Sequence, residues 1–520
     1  MNEYVLFFIA IVPIVWLIVS LGILKYPAHK TCFFTALLTF FIAIVFWKMP
    51  LIDAATASIE GIAVAIWPIL LVIVAALFTY NLAVETKSMD TMKNMLSSIT
   101  TDERIQVLIL AWGFGGFLEA VAGYGTAVAI PASILASIGF NPVFAAIICL
   151  IANTVPTAFG AIGIPVTTLA AVTGLDVMKL SYIISIQLAP FIIIIPFALV
   201  ILTKRSFKAI KGVFWITLAS GVTFAIPQIF IAKYLGAELP ALVGSLCSMV
   251  TTILMAKSMN KKKESKNENS QCDFNSREIS QSKISFKEGV LAWLPYILLC
   301  ILILIASPLF PAINEFLAKF SSKIQIYSGE GAKPVYFMWI NTPGMMIIIS
   351  TFIAGLVQKI KISAMVDIFI KTLKQLTKSF ITITSIVAIS KIMSYSLMTS
   401  SISFGLCAIT GSFYPIIAPL LGAVGTFVTG SDTSANILFG ELQLEAAKSL
   451  GINPYWIVAA NTAGATAGKM ISPQSIAIAT SATGLIGKEG EIFSSTVKFC
   501  LAYVLILGLL VYLGLDFIVT

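Results

Sequence analysis

The sequence predicts an all-α polytopic membrane protein built from two pseudo-symmetric halves. The chain of 520 residues is 58% hydrophobic and only 11% charged, whereas a soluble protein carries about 25% charged residues. Runs of roughly 20 apolar residues recur along it, and each is long enough to cross the hydrocarbon core as a helix. Glycine-rich stretches interrupt these runs in both parts of the chain. We therefore expect broken or re-entrant helices among about 12–14 membrane segments.

The longest hydrophilic segment divides the chain. Residues 257–288 hold eight basic and five acidic residues and few side chains that could form a core. This composition is typical of a flexible linker. We expect it to join an N-terminal transmembrane half, residues 1–256, to a C-terminal transmembrane half, residues 289–520.

Basic loops predict the orientation. Residues 203–212 hold four basic residues and no acid, and residues 358–378 hold five basic residues and one acid. By the positive-inside rule these loops and the linker face the cytoplasm, which places the N-terminus and residues 311–336 outside. The net charge of +9 therefore reflects loop orientation, and we expect no nucleic-acid partner.

The first glycine-rich stretch, residues 112–132, reads WGFGGFLEAVAGYGTAVAIPA and has five glycines within 13 residues. A second, residues 422–440, lies in the other half. Close helix packing is one use of such glycines. The other is a helix break, where irregular backbone lines a cavity and the free N–H groups of a helix N-terminus can hold an anion. The acid within the first stretch, Glu119, favours the second use.

The two halves share a weak pattern around these stretches. Residues 139–142 (GFNP) are echoed by residues 451–454 (GINP), and each precedes an apolar run that ends in Asn-Thr. Interrupted segments at matching positions of two halves indicate a transporter's binding site. The predicted substrate-binding residues are glycines, hydroxyls, amides and one lysine: Gly123, Gly125, Thr126, Asn153, Thr154, Ser431, Thr433, Ser434, Asn436, Asn461, Thr462 and Lys469.

Three charged residues fall inside predicted membrane segments: Glu119, Asp432 and Lys469. A charge there costs at least about 2.5 kcal/mol, so such residues tend to be functional or paired. Burial disfavours an ionised carboxyl group, which makes Glu119 and Asp432 candidates for proton coupling. Asp432 could instead cap a broken helix, and Lys469 could face the substrate or neutralise an acid. The single histidine, His29, is expected in a solvated loop.

Several chemistries find no support in the sequence. One histidine and seven scattered cysteines without a CxxC pair give no metal cluster, redox motif or disulfide framework. Residues 463–472 (AGATAGKMIS) have neither the glycine spacing nor the Ser or Thr of a phosphate-binding loop. A membrane-embedded enzyme would need a catalytic constellation that is not found. We expect no cofactor and no enzymatic activity, and a secondary carrier fits best.

Three stretches are similar to the bacterial L-lactate permease family: GFGGFLEAVAGYGTAVAIP (113–131), GTFVTGSDTSANILFG (425–440) and AANTAGATAGKMISPQSIAIA (459–479). The resemblance implies proton symport of L-lactate, with D-lactate and glycolate as further substrates, into the cell across the bacterial cytoplasmic (inner) membrane. Its partners would be a small monocarboxylate, a proton and the lipid bilayer. It also implies paired re-entrant hairpins, by fold analogy. A sodium-coupled carrier for other small carboxylates is the alternative, and the oligomeric state stays open.

Overall fold

The computed structural model describes residues 3–17, 19–20, 24, 26–97, 99–123, 125–267, 285–306, 310–332, 334–485 and 488–515. The helices up to the linker are α1 Glu3–Ala10, α2 Val12–Leu17, α3 Ala28–Phe46, α4 Leu51–Val64, α5 Leu71–Glu85, α6 Ser88–Ser97, α7 Glu103–Val107, α8 Gly115–Val121, α9 Thr126–Ser137, α10 Pro142–Ala152, α11 Gly160–Thr173, α12 Val177–Lys204, α13 Phe214–Tyr234 and α14 Pro240–Asn267. Single π-helical segments continue α4 into α5, over Ala65–Leu70, and α7 into α8, over Leu108–Phe114.

The described residues from position 285 onward form eleven α-helices, a short 3-10 helix at Gly411–Phe413 and one two-stranded antiparallel sheet. The helices are α15 Phe286–Ala306, α16 Pro311–Ala318, α17 Pro343–Val357, α18 Ile362–Gln375, α19 Thr377–Tyr395, α20 Met398–Thr410, α21 Tyr414–Thr429, α22 Asp432–Ser449, α23 Pro454–Lys469, α24 Pro473–Thr483 and α25 Glu489–Leu513. The strands are β1 Ser321–Ile324 and β2 Val335–Met338.

The all-α membrane fold is confirmed, although the number of full spans is lower than predicted. Ten helices or continuous helix pairs of the described chain are long and apolar enough to cross a membrane. They become eleven if α18 and α19, which meet at a 54° bend, count as one span. Four further apolar helices have only 10–17 residues: Glu3–Leu17, Thr126–Ser137, Pro142–Ala152 and Gly344–Val357. At about 1.5 Å per residue these are too short to cross alone.

The interrupted helices occupy the centre of the molecule. The spans Glu103–Val121 and Pro156–Thr173 are each 89% buried, whereas Ala28–Phe46 at the periphery is 33% buried. Irregular backbone is tolerated at membrane depth only where protein or a water-filled cavity surrounds it. The central position of these helices is therefore what permits them to break.

Contacts between the two parts of the chain are reciprocal. Helices α8 and α9 form a first hairpin, and α21 and α22 form a second. Helix α9 of the first hairpin packs on α24, and α22 of the second packs on α11. Likewise α12 packs on α23, and α10 packs on α25. This exchange fits the predicted organisation in two repeated halves.

The first part of the predicted linker is helical. Helix α14 continues to Asn267, so residues 257–267 are helical. Residues 268–284 of the predicted linker lie outside the described residues.

Candidate functional site

A cavity of about 380 Å³ lies where four helix breaks meet. The breaks separate α8 from α9, α10 from α11, α21 from α22, and α23 from α24. Each contributes to the wall, in chain order through Gly123 and Gly125, Gly160 and Ala161, Gly430 and Ser431, and Gln474 and Ser475. The two glycine-rich stretches predicted from the sequence thus meet at one cavity.

The backbone at three of these breaks adopts left-handed conformations. Gly123, Gly125 and Gly430 have φ of 58°, 83° and 72°, which glycine adopts without strain. At the second break Ala161 and Ile162 have φ of 45° and 60°. For residues with a Cβ such values are strained and persist only where the surroundings enforce them.

Glu119 of α8 lines the cavity. Its carboxyl group lies close to the backbone of both the first and the second break. Glu119 is 3% exposed, and Asn153 is a hydrogen-bond partner of its carboxyl group. A Cβ on Gly160 would come within 2.8 Å of Glu119 Oε1. Glycine at position 160 therefore makes room for this carboxyl group.

Asp432 is the first residue of α22 and is 2% exposed. The N-cap of α22 is Ser431, whose side chain accepts a hydrogen bond from Ser434 N at 3.3 Å. Asp432 Oδ1 accepts a hydrogen bond from the Thr426 hydroxyl at 3.1 Å. Asp432 Oδ2 and Glu119 Oε2 are both buried without a hydrogen-bond partner among the described residues. Ser431, and not Asp432, therefore caps α22. One carboxyl oxygen of Glu119 and one of Asp432 remain without a hydrogen-bond partner in the part of the chain that the structure describes.

Lys469, the last residue of α23, places a positive charge at the cavity beside the two acids. Its Nζ donates a hydrogen bond to the Gly430 carbonyl at 3.0 Å, where it also complements the negative C-terminal end of α21. The ammonium interacts electrostatically with both Glu119 and Asp432. One lysine thus serves two buried carboxyl groups.

The predicted amides of the second half form a buried network beside the cavity. Asn436 Nδ2 donates to the Pro165 carbonyl at 3.0 Å, and Asn436 Oδ1 accepts from Asn461 Nδ2 and Thr462 Oγ1, each at 3.0 Å. Asn461 Oδ1 in turn accepts from Gln443 Nε2 at 3.1 Å. Pro165 lines the cavity, whereas the three amides and Thr462 do not. Their contacts join α22 and α23 to the broken helix α11.

Three further predicted residues shape the breaks of the first half. The Thr126 hydroxyl donates to the Gly123 carbonyl at 2.8 Å, and the Thr154 hydroxyl donates to the Leu150 carbonyl at 3.4 Å. Asn153 Nδ2 lies 3.3 Å from Thr157 Oγ1. The predicted residues that do line the cavity are Glu119, Gly123, Gly125, Ser431, Asp432, Thr433, Ser434 and Lys469.

Several residues that line the cavity were not predicted from the sequence. His29, expected in a solvated loop, is half-buried in the first turn of α3 and lines the cavity together with Lys378 and Ser379 of α19. No local pattern indicates that position. Ser475 could have been predicted from the sequence. Ser472 followed by Pro473 is a signal for the start of a helix, and such a start places N–H groups and hydroxyls at a break.

A membrane-embedded helical bundle with a polar cavity at converging helix breaks defines a membrane transporter. The family model described as L-lactate permease matches residues 6–518, and the chain belongs to this family. It is 52% identical over 451 residues to the L-lactate permease of Streptococcus iniae, covering 87% of this chain and 93% of that protein. It is 33% identical over 537 residues to the glycolate permease GlcA of Escherichia coli K12, covering 97% of this chain and 95% of that protein.

Among solved structures, the chain is similar to the YdaH transporter of Alcanivorax borkumensis, with 13% identity and a TM-score of 0.46 over 86% of this chain and 85% of that one. The family resemblance read from the three sequence stretches is confirmed by the family match. The protein is thus a permease and not an enzyme, with many passes through the bacterial cytoplasmic membrane.

Proposed function

We propose that this protein imports L-lactate, and with it D-lactate and glycolate, by proton symport through the cavity at the four helix breaks. Relatives named for L-lactate and for glycolate support a small 2-hydroxy monocarboxylate as substrate. The observation that carries the proposal is the meeting of one lysine with two buried acids at the cavity.

The substrate carboxylate would bind near Lys469 and the first turn of α22. Ser431, Thr433 and Ser434 line the cavity there, and a helix N-terminus offers N–H groups to an anion. The first hairpin faces them through Gly123 and Gly125, where the main chain can approach a ligand closely. One methyl group changes the binding free energy of a substrate by only about 1–3 kcal/mol. This agrees with relatives named for lactate and for glycolate, two substrates that differ by one methyl group.

Charge balance supports proton coupling. Glu119 and Asp432 interact with the ammonium of Lys469, whereas Lys378 lines the cavity from an exposed position. Two ionised carboxylates beside the one ammonium of Lys469 leave a net negative charge, which repels a substrate anion and is costly in a buried site. One proton on Glu119 or Asp432 balances the empty site. A second proton balances the site after lactate has bound beside Lys469. The two balanced states differ by one proton and one lactate, which corresponds to electroneutral symport.

Uptake of labelled L-lactate into liposomes that contain the purified protein tests the proposal. We expect accumulation to follow an imposed inward proton gradient and to ignore a sodium gradient. Accumulation that follows sodium and ignores pH would assign the chain to the sodium-coupled alternative.

The two acids are tested by Glu119→Gln and Asp432→Asn. We expect each replacement to abolish accumulation driven by a proton gradient, because the neutral amide cannot exchange a proton. Lactate counterflow should survive in at least one variant, since exchange requires no net proton movement. The matched control is Glu491→Gln at an exposed position of α25. Wild-type accumulation in both cavity variants would remove Glu119 and Asp432 from the mechanism.

A further inference from the structure

Helix α18 has an exposed apolar stripe that no other helix covers in the described chain. Its members are Ile362, Val366, Ile370 and Leu373, which are 60%, 40%, 42% and 37% exposed. At about 100° per residue they fall within about 80° of the helix circumference. This is a continuous apolar surface along a helix of 14 residues.

Contacts with the protein fix the rotation of α18 independently of this stripe. Met365 and Thr372 are buried, and Phe369 packs edge-on against Phe78 of α5 with ring centroids 5.3 Å apart. Asn81 Nδ2 donates to Thr372 Oγ1 at 2.9 Å and to Gln375 Oε1 at 3.3 Å. The helix is thus docked by one face while a separate apolar face points away from the protein.

The polar face of α18 carries positive charge. Lys371 and Lys374 are exposed, and residues 358–378 as a whole contain five lysines and one aspartate. Helix α18 is too short to span a membrane and meets α19 at a 54° bend. An apolar stripe flanked by lysines on such a helix is the pattern of a segment that lies in the membrane interface.

We propose that α18 is a binding surface for anionic phospholipids of the cytoplasmic leaflet. The stripe enters the boundary between headgroups and acyl chains, and Lys371 and Lys374 bind the lipid phosphates. Lysines near a membrane surface each strengthen attraction to anionic lipids by about fivefold at low ionic strength. The positive-inside rule places this loop on the leaflet in question.

This surface is coupled to the mouth of the cavity by the chain itself. Helix α19 begins two residues after α18 ends, and its first turns place Lys378, Ser379 and Thr382 in the cavity wall. A lipid that holds α18 therefore also holds this part of the wall. This second step rests on the proposed transport function, whereas lipid binding does not.

Quenching of a local fluorophore tests the lipid binding. Ile370→Trp is introduced into the full chain, which is reconstituted with brominated phosphatidylglycerol or brominated phosphatidylcholine at equal mole fraction. Because the chain already has eight tryptophans, the signal of the introduced residue is the difference from the parent chain in the same lipid. We expect the introduced tryptophan to be quenched several-fold more strongly by the anionic lipid. The preference should weaken as salt is raised and disappear in K371Q/K374Q. The matched control is K319Q/K323Q, an equal charge change at two exposed lysines, one directly after α16 and one in β1.

Equal quenching by the two lipids would overturn the lipid preference, and no quenching by either would show that the stripe lies outside the bilayer. An equal loss of preference in K319Q/K323Q would overturn the assignment to α18. Lactate counterflow separates the second step. We expect it to be several-fold faster in phosphatidylglycerol than in phosphatidylcholine for the wild type, with no such difference in K371Q/K374Q. Unchanged lipid dependence in that variant, with its quenching preference lost, would overturn only the link to the cavity mouth.

Discussion

Replacement of Asn436 distinguishes a structural amide from a substrate ligand. Asn436→Ala removes three hydrogen bonds, to the Pro165 carbonyl and from Asn461 and Thr462. The Thr462 hydroxyl can turn to a carbonyl of its own helix, which leaves the Pro165 carbonyl and the Asn461 amide without partners. Both are buried, and each stranded group costs about 1–3 kcal/mol. The expected loss of unfolding free energy is therefore about 2–6 kcal/mol.

The corresponding change in melting temperature follows from the size of the chain. With an unfolding entropy of about 2.1 cal/mol/K per residue, a chain of 520 residues loses about 1 °C in Tm for each kcal/mol. We expect the apparent Tm of the purified Asn436→Ala protein in detergent to fall by about 2–6 °C. A thiol-reactive dye that reports exposure of buried cysteines measures this, and the scan rate is held constant because such unfolding is commonly irreversible.

Asn314→Ala is a graded control, because among the described residues the side chain of Asn314 makes one hydrogen bond, from Nδ2 to the Ala306 carbonyl at 2.7 Å. It should lower the Tm by about 1 °C or less. The KM for lactate should stay near the wild-type value in Asn436→Ala, since Asn436 does not line the cavity. An unchanged Tm together with a KM raised tenfold would refute the structural role and identify Asn436 as a substrate ligand.

Two further stability predictions test the packing around the cavity. Lys391→Met should destabilise the protein by about 3–5 kcal/mol, because it removes the ammonium 3.1 Å from Glu60, whose side chain is 1% exposed. The buried charge of Glu60 then keeps, among the described residues, only the Tyr395 hydroxyl and the Tyr327 N–H as hydrogen-bond donors. The double variant E60Q/K391M should recover most of the lost Tm, and a single variant as stable as the wild type would contradict this. Gly464→Ala should lower the Tm and the yield of folded protein, because the added Cβ would overlap the Pro419 carbonyl of α21. The control is Gly490→Ala, where nothing lies within 4 Å of the added Cβ. Equal Tm and yield of the two variants would exclude close packing at position 464.

Sequence reasoning succeeded where a local pattern has one physical meaning. Apolar runs of span length predicted the membrane fold, and the two glycine-rich stretches predicted helix breaks, which the structure places at Gly123 and Gly430. It was less informative for amides, because the same residue type can bind a ligand or another helix. Asn436 contacts Pro165, which is 271 residues away, and only the fold determines that partner.

Gly160 and Gly163 indicate the second break in the sequence, but local rules do not predict its backbone conformation. Glycine predicts left-handed backbone, yet Ala161 and Ile162 adopt it there under the constraint of the surrounding helices. The position of His29 is likewise determined by the surrounding helices and not by local sequence. Its place in the cavity wall depends on how α3 packs on α19, which is set by contacts distant in sequence.

The glycines of the C-terminal half have two separable roles. Gly430 permits the turn between α21 and α22, whereas Gly422, Gly464 and Gly468 let α21 and α23 pack backbone against backbone, since a Cβ on any of them would overlap a carbonyl oxygen of the other helix. Close packing of this kind has discrete arrangements and does not deform continuously.

This packing determines where the charge at the cavity can move. Lys469 ends α23 and binds the carbonyl at the end of α21, so the contact that places the ammonium beside the second hairpin is part of the same packed unit. Glu119 belongs to the first hairpin, which lines the same cavity. We therefore expect the distance from Lys469 to Glu119 to change between outward- and inward-facing states, and the distance from Lys469 to Gly430 to stay constant. We expect Lys469, bound at the second hairpin and shared with an acid of the first, to couple proton binding to the relative position of the two hairpins.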